Sequence, residues 1–271
     1  MKSYAKINIG LIVGGKRSDG YHDIETFFHL VSLSDEISFS IAKGNAISIK
    51  RSWNYLEEGK TDLIENAYRL FKKLTGLEFS LSVDVEKHIL PGGGLGGGSS
   101  NAGTTLLYLN EYFDFPISRD SLMKESLALG SDVPFFVSGF PSARGTGRGE
   151  VLTEERPLGY EIDIISPSVG AGTPGMFGKL DAVLPKNDRH LPPHLMENLG
   201  KEDFPNDFEL VSKEYKLLEK LASKYSFFSL TGSGSCSYGV KKGQEKENFD
   251  ENIVHGYEKV DIIPSFLLTT K

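Results

Sequence analysis

Three features of this chain could together move a phosphoryl group: a loop of glycines, a lysine in an apolar strand and an aspartate just ahead of a proline. Residues 91–103 read Pro-Gly-Gly-Gly-Leu-Gly-Gly-Gly-Ser-Ser-Asn-Ala-Gly and run directly into an apolar helical pattern of Ala102, Leu106 and Leu109. Glycine lets backbone N–H groups turn inward with no Cβ in the way, and Ser99 and Ser100 are expected to open a helix whose positive end faces an anion. The preceding Phe79-Ser-Leu-Ser-Val-Asp-Val-Glu86 alternates apolar and polar, so a strand leads into the loop. A flexible linker would lack that strand-to-helix bracket. The loop matches neither Gly-x-x-x-x-Gly-Lys-Ser nor Gly-x-Gly-x-x-Gly with an acidic residue about twenty positions on, which leaves an ATP cradle of another kind.

Lys6 lies in Tyr4-Ala-Lys-Ile-Asn-Ile-Gly10, and Asp132 in Leu129-Gly-Ser-Asp-Val-Pro-Phe-Phe136. Taken alone, Lys6 reads as an exposed strand residue and Asp132 as a turn or cap. Beside a phosphate loop they read differently. Transfer of a phosphoryl group to an alcohol calls for a carboxylate near the hydroxyl, a cation to balance developing charge, and backbone donors with magnesium on the phosphates.

These residues must be positioned by a mixed set of elements. Short strands are expected at Ile37–Ile41 and around Ile47 and Ile49. A helix follows, with Asp62 and Glu65 as a capping box, Leu63, Ala67, Leu70, Phe71 and Leu74 at helical spacing, and Gly76 ending it. Another runs from about Ser118 to Leu129. Gly145-Thr-Gly-Arg-Gly-Glu150 reads as a turn or ligand loop near a boundary. The second half holds a strand near 160–165, a Pro- and Gly-rich loop from Ser166 to Gly178, one helix from about Asp207 to Tyr225, a second glycine loop Thr231-Gly-Ser-Gly-Ser-Cys236, and a last strand around Val260–Ile263. The irregular alternation gives an α+β protein of two lobes, 1–150 and 151–271, with glycine loops between them.

At 271 residues, with 39% hydrophobic and 25% charged, the chain has room for one large or two modest cores. No apolar run approaches the roughly 20 residues of a membrane helix, and Lys6 and Asn8 interrupt what would be a signal-peptide core, so a cytoplasmic protein with no membrane partner is expected. The single Cys236 excludes an internal disulfide and any multi-cysteine zinc site. A net charge of −7 argues against nucleic acid as a partner.

Ala5-Lys-Ile-Asn8, Gly20-Tyr-His22, Gly94-Leu-Gly-Gly-Gly-Ser-Ser-Asn101, Gly130-Ser-Asp-Val-Pro134, Gly147-Arg-Gly-Glu150 and Thr231-Gly-Ser-Gly-Ser235 together resemble the superfamily of galactokinase, homoserine kinase, mevalonate kinase and phosphomevalonate kinase. The Tyr21-His22 block is similar to the branch that acts on a cytidine diphosphate alcohol. The resemblance runs nearly end to end. It implies a two-lobed small-molecule kinase fold, the N-terminal lobe being ATP-binding and catalytic with a ribosomal-protein-S5 domain-2-like fold. The C-terminal lobe would be a substrate-binding, ferredoxin-like α/β sandwich. It also implies transfer of the ATP γ-phosphate to a secondary (2-) hydroxyl of a methylerythritol unit joined through diphosphate to cytidine, in isoprenoid precursor synthesis. By position, Asp132 would take the hydroxyl proton and Lys6 would hold the hydroxyl. Asn8 would place the substrate, and Tyr21, His22, Pro174 and Phe177 would bind the cytidine. Leu63 and Lys87 would lie at the adenine. The triphosphate would lie along Pro91, Gly92, Gly93, Gly94, Leu95, Gly96, Gly97, Gly98, Ser99, Ser100 and Asn101. Magnesium would be held mainly by ATP phosphates, with no dedicated protein site, and the enzyme would be a monomer or weak homodimer.

The chain departs from that family in four places. It has Asp62-Leu63 where Asn-Leu is usual, Lys87-His-Ile-Leu-Pro91 with its proline one place late, Ser166-Pro167 for His-Pro, and Thr269-Thr270 without a closing Asn. Two other readings remain: a kinase of the same superfamily acting on mevalonate, a sugar or homoserine, and a non-catalytic nucleotide- or RNA-binding protein, which the acidic balance disfavours.

Overall fold

The computed structural model describes residues 1–53, 61–167, 173–184, 189–193, 204–241 and 260–266. The chain divides into two compact units, each discontinuous in sequence. The first comprises Met1–Ala5, Leu33–Pro91 and Gly96–Phe140, the second Lys6–Ser32, Gly92–Leu95 and Pro141–Lys271.

In the first unit, β4 (Ser80–Glu86) is central. It pairs antiparallel with the C-terminal half of β2 (His22–Ala42) and parallel with β3 (Ile47–Arg51). A parallel pair needs a crossover, and α1 (Leu63–Thr75) lies in that connection. Leu81, Val83 and Val85 of β4 are buried while Ser82, Asp84 and Glu86 are exposed. On the buried side pack Ile64, Ala67 and Phe71 of α1 and Ala102, Leu106 and Leu109 of α2 (Gly97–Tyr112). This unit also holds α3 (Arg119–Ser126) and α4 (Val133–Ser138).

The ends of α1 fall where local chemistry puts them. Asp62 accepts the Ile64 N–H at 2.8 Å, and Gly76, at φ +71°, donates its own N–H to the Lys72 carbonyl. The capping box is only half made, because Glu65 turns forward to Arg69. At α2 the expectation is corrected: the N-cap is Gly96, at φ +70°, and no side chain caps the helix. The left-handed glycine starts the helix two residues before the serines, and the Ser100 hydroxyl donates instead to the Tyr4 carbonyl at 2.6 Å.

In the second unit, β1 (Lys2–Lys16) continues from its first residues and pairs with β2, whose N-terminal half is antiparallel to β5 (Ser142–Thr146); β6 (Val151–Glu154) follows antiparallel to β5. A separate sheet has the order β10 (Val260–Phe266), β7 (Glu161–Pro167), β9 (Ser237–Lys241), β8 (Tyr225–Leu230), with every pair antiparallel. Helices α5 (Thr173–Leu180) and α6 (Lys213–Leu218) belong to this unit. The single helix expected over 207–225 is broken into a 3₁₀ turn at Asp207–Leu210, α6, and a second 3₁₀ turn at Glu219–Lys224. Asn206 caps the first turn by accepting the Phe208 N–H, and Ser212 makes the first break by accepting the Tyr215 N–H and starting a new helix there; no side chain caps the second 3₁₀ turn.

His29 on β2 is fully buried. Its Nε2 accepts the Leu158 N–H at 2.9 Å while Nδ1 donates to the Leu30 carbonyl at 2.8 Å, an arrangement that requires the neutral ring. Burial pulls its pKa down to about 4. Because the unfolded chain takes up this proton near the ordinary histidine value of 6.5, the contribution is complete above that pH and is lost as pH falls toward 4. Urea unfolding is expected to show that moving from about pH 7 to about pH 5 costs the native protein about 2 kcal/mol more than it costs a folded His29→Gln variant. Equal losses in the two proteins would show that His29 is not the acid-sensitive group.

Candidate active site

In the second unit, β1 is buried on both faces. Ile7 and Ile9 are fully covered, and so nearly are Lys6 (3% exposed) and Asn8 (1%). Lys6 is therefore not an exposed strand lysine. Its Nζ donates to Asn8 Oδ1 at 2.5 Å and lies 5.6 Å from the centroid of the Phe28 ring. Asn8 Nδ2 donates to Thr26 Oγ1 at 3.0 Å, and Thr26 donates to the Gly10 carbonyl at 2.6 Å.

The same strand is tied to the first part of the glycine loop. Lys6 N–H donates to the Leu95 carbonyl at 3.0 Å, Asn8 N–H to Thr231 Oγ1 at 3.1 Å, and Thr231 Oγ1 to the Gly94 carbonyl at 3.3 Å. The second glycine loop, the β8–β9 turn, adds Ser235 N–H to the Gly92 carbonyl and Cys236 N–H to the Gly93 carbonyl. It is thus both a hairpin turn and a support for the first loop. Gly94 sits at φ +77°, and a Cβ there would stand 2.1 Å from the Thr231 carbonyl oxygen, so only glycine fits. Cys236 is buried, and burial pushes its thiol pKa up to about 11, as in a packing residue and not a nucleophile.

Also in this unit, His22 stacks on Phe177 with centroids 5.2 Å apart and planes 14° from parallel, and its Nε2 lies 2.7 Å from Asp181 Oδ1. Phe177 meets Phe208 edge-on at 4.8 Å. Tyr21 is 49% exposed, with the Arg148 guanidinium 3.5 Å from its ring centroid. Phe177 is thus paired with His22, and among the described residues no ring contact joins it to Tyr21. Pro174 lies in the first turn of α5, where the backbone alone is described.

The first unit gathers the rest. At α2, a Cβ on Gly97 would meet Ile89 Cγ2 at 2.8 Å and Lys87 Nζ at 2.9 Å, and one on Gly98 would lie 3.5 Å from Leu63. Leu63 and Lys87 therefore border the first turn of the helix that carries Ser99, Ser100 and Asn101. Lys87 is committed to a fully buried Asp35, 2.6 Å away, which also accepts the His88 and Ile89 N–H groups at 2.8 Å each. Burial lowers the Lys87 pKa, with Asp35 acting against that shift. Removing one partner of such a pair typically costs about 3–5 kcal/mol, so the pair anchors the chain entering the glycine loop. Asp62 accepts from Arg51 as well as capping α1, which uses its carboxylate structurally.

Asp132 occupies the N-cap position of α4, yet its carboxylate makes no capping hydrogen bond. Pro134 near the start of that helix and Gly139 at φ +82° bound it locally. Gly103 lets α4 approach α2, since a Cβ there would stand 2.8 Å from Phe136 Cβ. The first unit thus carries Leu63, Lys87, Gly96–Asn101 and Asp132, and the second Lys6, Asn8, Tyr21, His22, Gly92–Leu95 and Phe177.

The residues present suit a nucleotide triphosphate. Gly92, Gly94 and Gly96 all have positive φ, a backbone that glycine adopts readily and that leaves no Cβ between the loop's N–H groups and an anion. No cluster of three His, Cys, Asp or Glu side chains suited to a metal occurs among the described residues. Sequence reasoning missed Thr26, Asp35 and Asp181. Arg148 was signalled only by its glycine-punctuated loop.

The profile described as GHMP kinases N terminal domain matches residues 62–140, which span α1 through α4 with the glycine loop and Asp132. The 4-diphosphocytidyl-2-C-methyl-D-erythritol kinase of Haemophilus ducreyi is 36% identical over 244 residues, covering 88% of this chain and 84% of its own. That of Persephonella marina is 34% identical over 257 residues, covering 90% and 92%. A crystal structure of 4-(cytidine 5'-diphospho)-2C-methyl-D-erythritol kinase superposes with a TM-score of 0.75 at 25% identity over 98% of each chain. Methanococcus jannaschii mevalonate kinase shares the fold, with a TM-score of 0.68 at 11% identity over 99% and 98%. With relatives this similar over most of its length, the chain belongs to the 4-diphosphocytidyl-2-C-methyl-D-erythritol kinase family of the GHMP kinases.

Proposed function

We propose that this protein transfers the γ-phosphate of ATP to the 2-hydroxyl of 4-(cytidine 5'-diphospho)-2-C-methyl-D-erythritol, the kinase step of the non-mevalonate isoprenoid pathway. The observation that carries this reading is the buried Lys6–Asn8 pair on a strand hydrogen-bonded to the glycine loop, in a chain whose relatives bear that kinase's name. One detail of the sequence reading is corrected by the substrate's own name. Carbon 2 carries the methyl branch, so its hydroxyl is tertiary, not secondary.

In the proposed step the hydroxyl oxygen forms a bond to the γ-phosphorus as the bond to the β–γ bridging oxygen breaks, releasing ADP, and the hydroxyl proton passes to Asp132. Lys6 balances the charge developing on the acceptor oxygen. Backbone N–H groups along 92–100 hold the phosphates, with Leu63 and Lys87 at the adenine end. Magnesium, held mainly through the phosphates, supplies further charge neutralisation. The cytidine is bound by Tyr21, His22, Pro174 and Phe177. The His22–Phe177 stack and the Asp181 contact support His22 as the base-reading side chain. In this division, residues 1–150 supply the ATP-binding and catalytic groups together with Tyr21 and His22, and residues 151–271 the remaining substrate contacts.

Purified protein is expected to consume ATP in the presence of magnesium when given the cytidine substrate and not with mevalonate, galactose or homoserine. Equal stimulation by mevalonate would sink the assignment. Asp132→Asn should stay folded and lose about 10²- to 10⁴-fold in turnover, the range typical of a general base; near-native turnover would make Asp132 structural. Tyr21→Ala should raise the Michaelis constant for the cytidine substrate roughly 5- to 150-fold if its ring stacks on the base, with ATP little changed. If ATP shows the larger change, the two nucleotide sites have been assigned the wrong way round.

A further inference from the structure

The amide of Asn8 is oriented by hydrogen counting. Its Nδ2 lies 3.0 Å from Thr26 Oγ1, and that hydroxyl lies 2.6 Å from the Gly10 carbonyl oxygen. A carbonyl has no hydrogen to give, so the single hydroxyl hydrogen of Thr26 goes to Gly10. Thr26 can then only accept from Asn8, which requires the NH₂ of the amide on that side. At the other end the Lys6 ammonium can only donate, which requires the amide oxygen, and Oδ1 is there at 2.5 Å. Thr26 is fully buried and Asn8 is 1% exposed, so the protein itself must supply these partners.

We propose that Thr26 is a positioning residue for phosphoryl transfer: its hydroxyl sets the direction of the hydrogen-bond chain from Lys6 through Asn8 to Gly10. It thereby holds the ammonium where the acceptor hydroxyl is bound. This rests on the reading of Lys6 as the cation of the transfer step. An amide turned the other way would set NH₂ against ammonium, donor against donor, and push Lys6 off its place. Thr26→Val keeps the branched shape suited to a strand and removes the polarity signal, while Thr26→Ser keeps the signal and loses a methyl group.

In the full chain, with ATP and the cytidine substrate, Thr26→Val should lower kcat by about 10-fold or more while the Michaelis constant for ATP stays within about twofold, the signature of a lost transition-state interaction. Thr26→Ser should stay within about threefold of the native kcat. A Thr26→Val enzyme within twofold of native, or a Thr26→Ser enzyme equally impaired, would overturn the proposal. Wild-type protein labelled with ¹⁵N-asparagine gives a second arm that needs no folded variant and no activity. The Asn8 NH₂ protons should show nuclear Overhauser contacts to the Thr26 side chain and slow exchange with solvent. Contacts to the Lys6 ε-methylene instead would overturn it. A native protein inactive on the cytidine substrate would remove the kinase reading, and the labelling result would still decide the amide orientation.

Discussion

The backbones of Gly94 and Thr231 approach so closely that a side chain at position 94 has no place, and the second unit's part of the site is organised by that contact. Gly94 is far from Thr231 in sequence, so the approach fixes two loops that local propensity would leave pliable. Through Thr231 Oγ1 the contact reaches the Asn8 backbone, and Lys6 N–H meets the Leu95 carbonyl beside it. The lysine side chain is thus placed by main-chain bonds on the strand that carries it, which is more rigid than placement by a long side chain alone. A buried polar chain of this kind is favourable when donors meet acceptors, and here each link from Lys6 through Asn8 and Thr26 to Gly10 joins a donor to an acceptor.

The first unit solves a related problem with charge. Asp35 takes two backbone N–H groups and the Lys87 ammonium, so the residues leading into the glycine loop are held by a buried carboxylate with several donors around it. His88 and Ile89, just ahead of Pro91, are fixed by their own N–H groups. The same carboxylate also gives Lys87 a structural duty alongside its proposed place near the adenine.

What the sequence made legible was mostly local. Helix α1 reads from cap to cap because Asp62 and Gly76 act on their own neighbours, and β4 reads from strict alternation ahead of the glycine loop. The loop stood out by its glycine density, whereas Asp132, a turn or cap residue when taken alone, was singled out only by the company of that loop and by the family resemblance. Long-range partnerships were not legible. Nothing in a threonine on a strand distinguishes Thr26 from any other, and Asp35 and Asp181 matter only through residues far along the chain. The helix expected over 207–225 failed for a different reason: its apolar spacing was sound, but Ser212 caps the backbone inside the segment and restarts it. The pairing of Phe177 with His22 depends on the seating of α5, which no local pattern encodes.

The most direct test is the proton-coupled ³¹P spectrum of the product formed from ATP and the cytidine substrate. Carbon 2 bears no hydrogen, so a phosphate on its hydroxyl has no three-bond P–O–C–H partner, and a new monoester singlet is expected beside the diphosphate signals. A doublet would place the phosphate on the neighbouring secondary hydroxyl, a triplet would place it on a primary one, and the absence of any new monoester would refute phosphoryl transfer to this substrate.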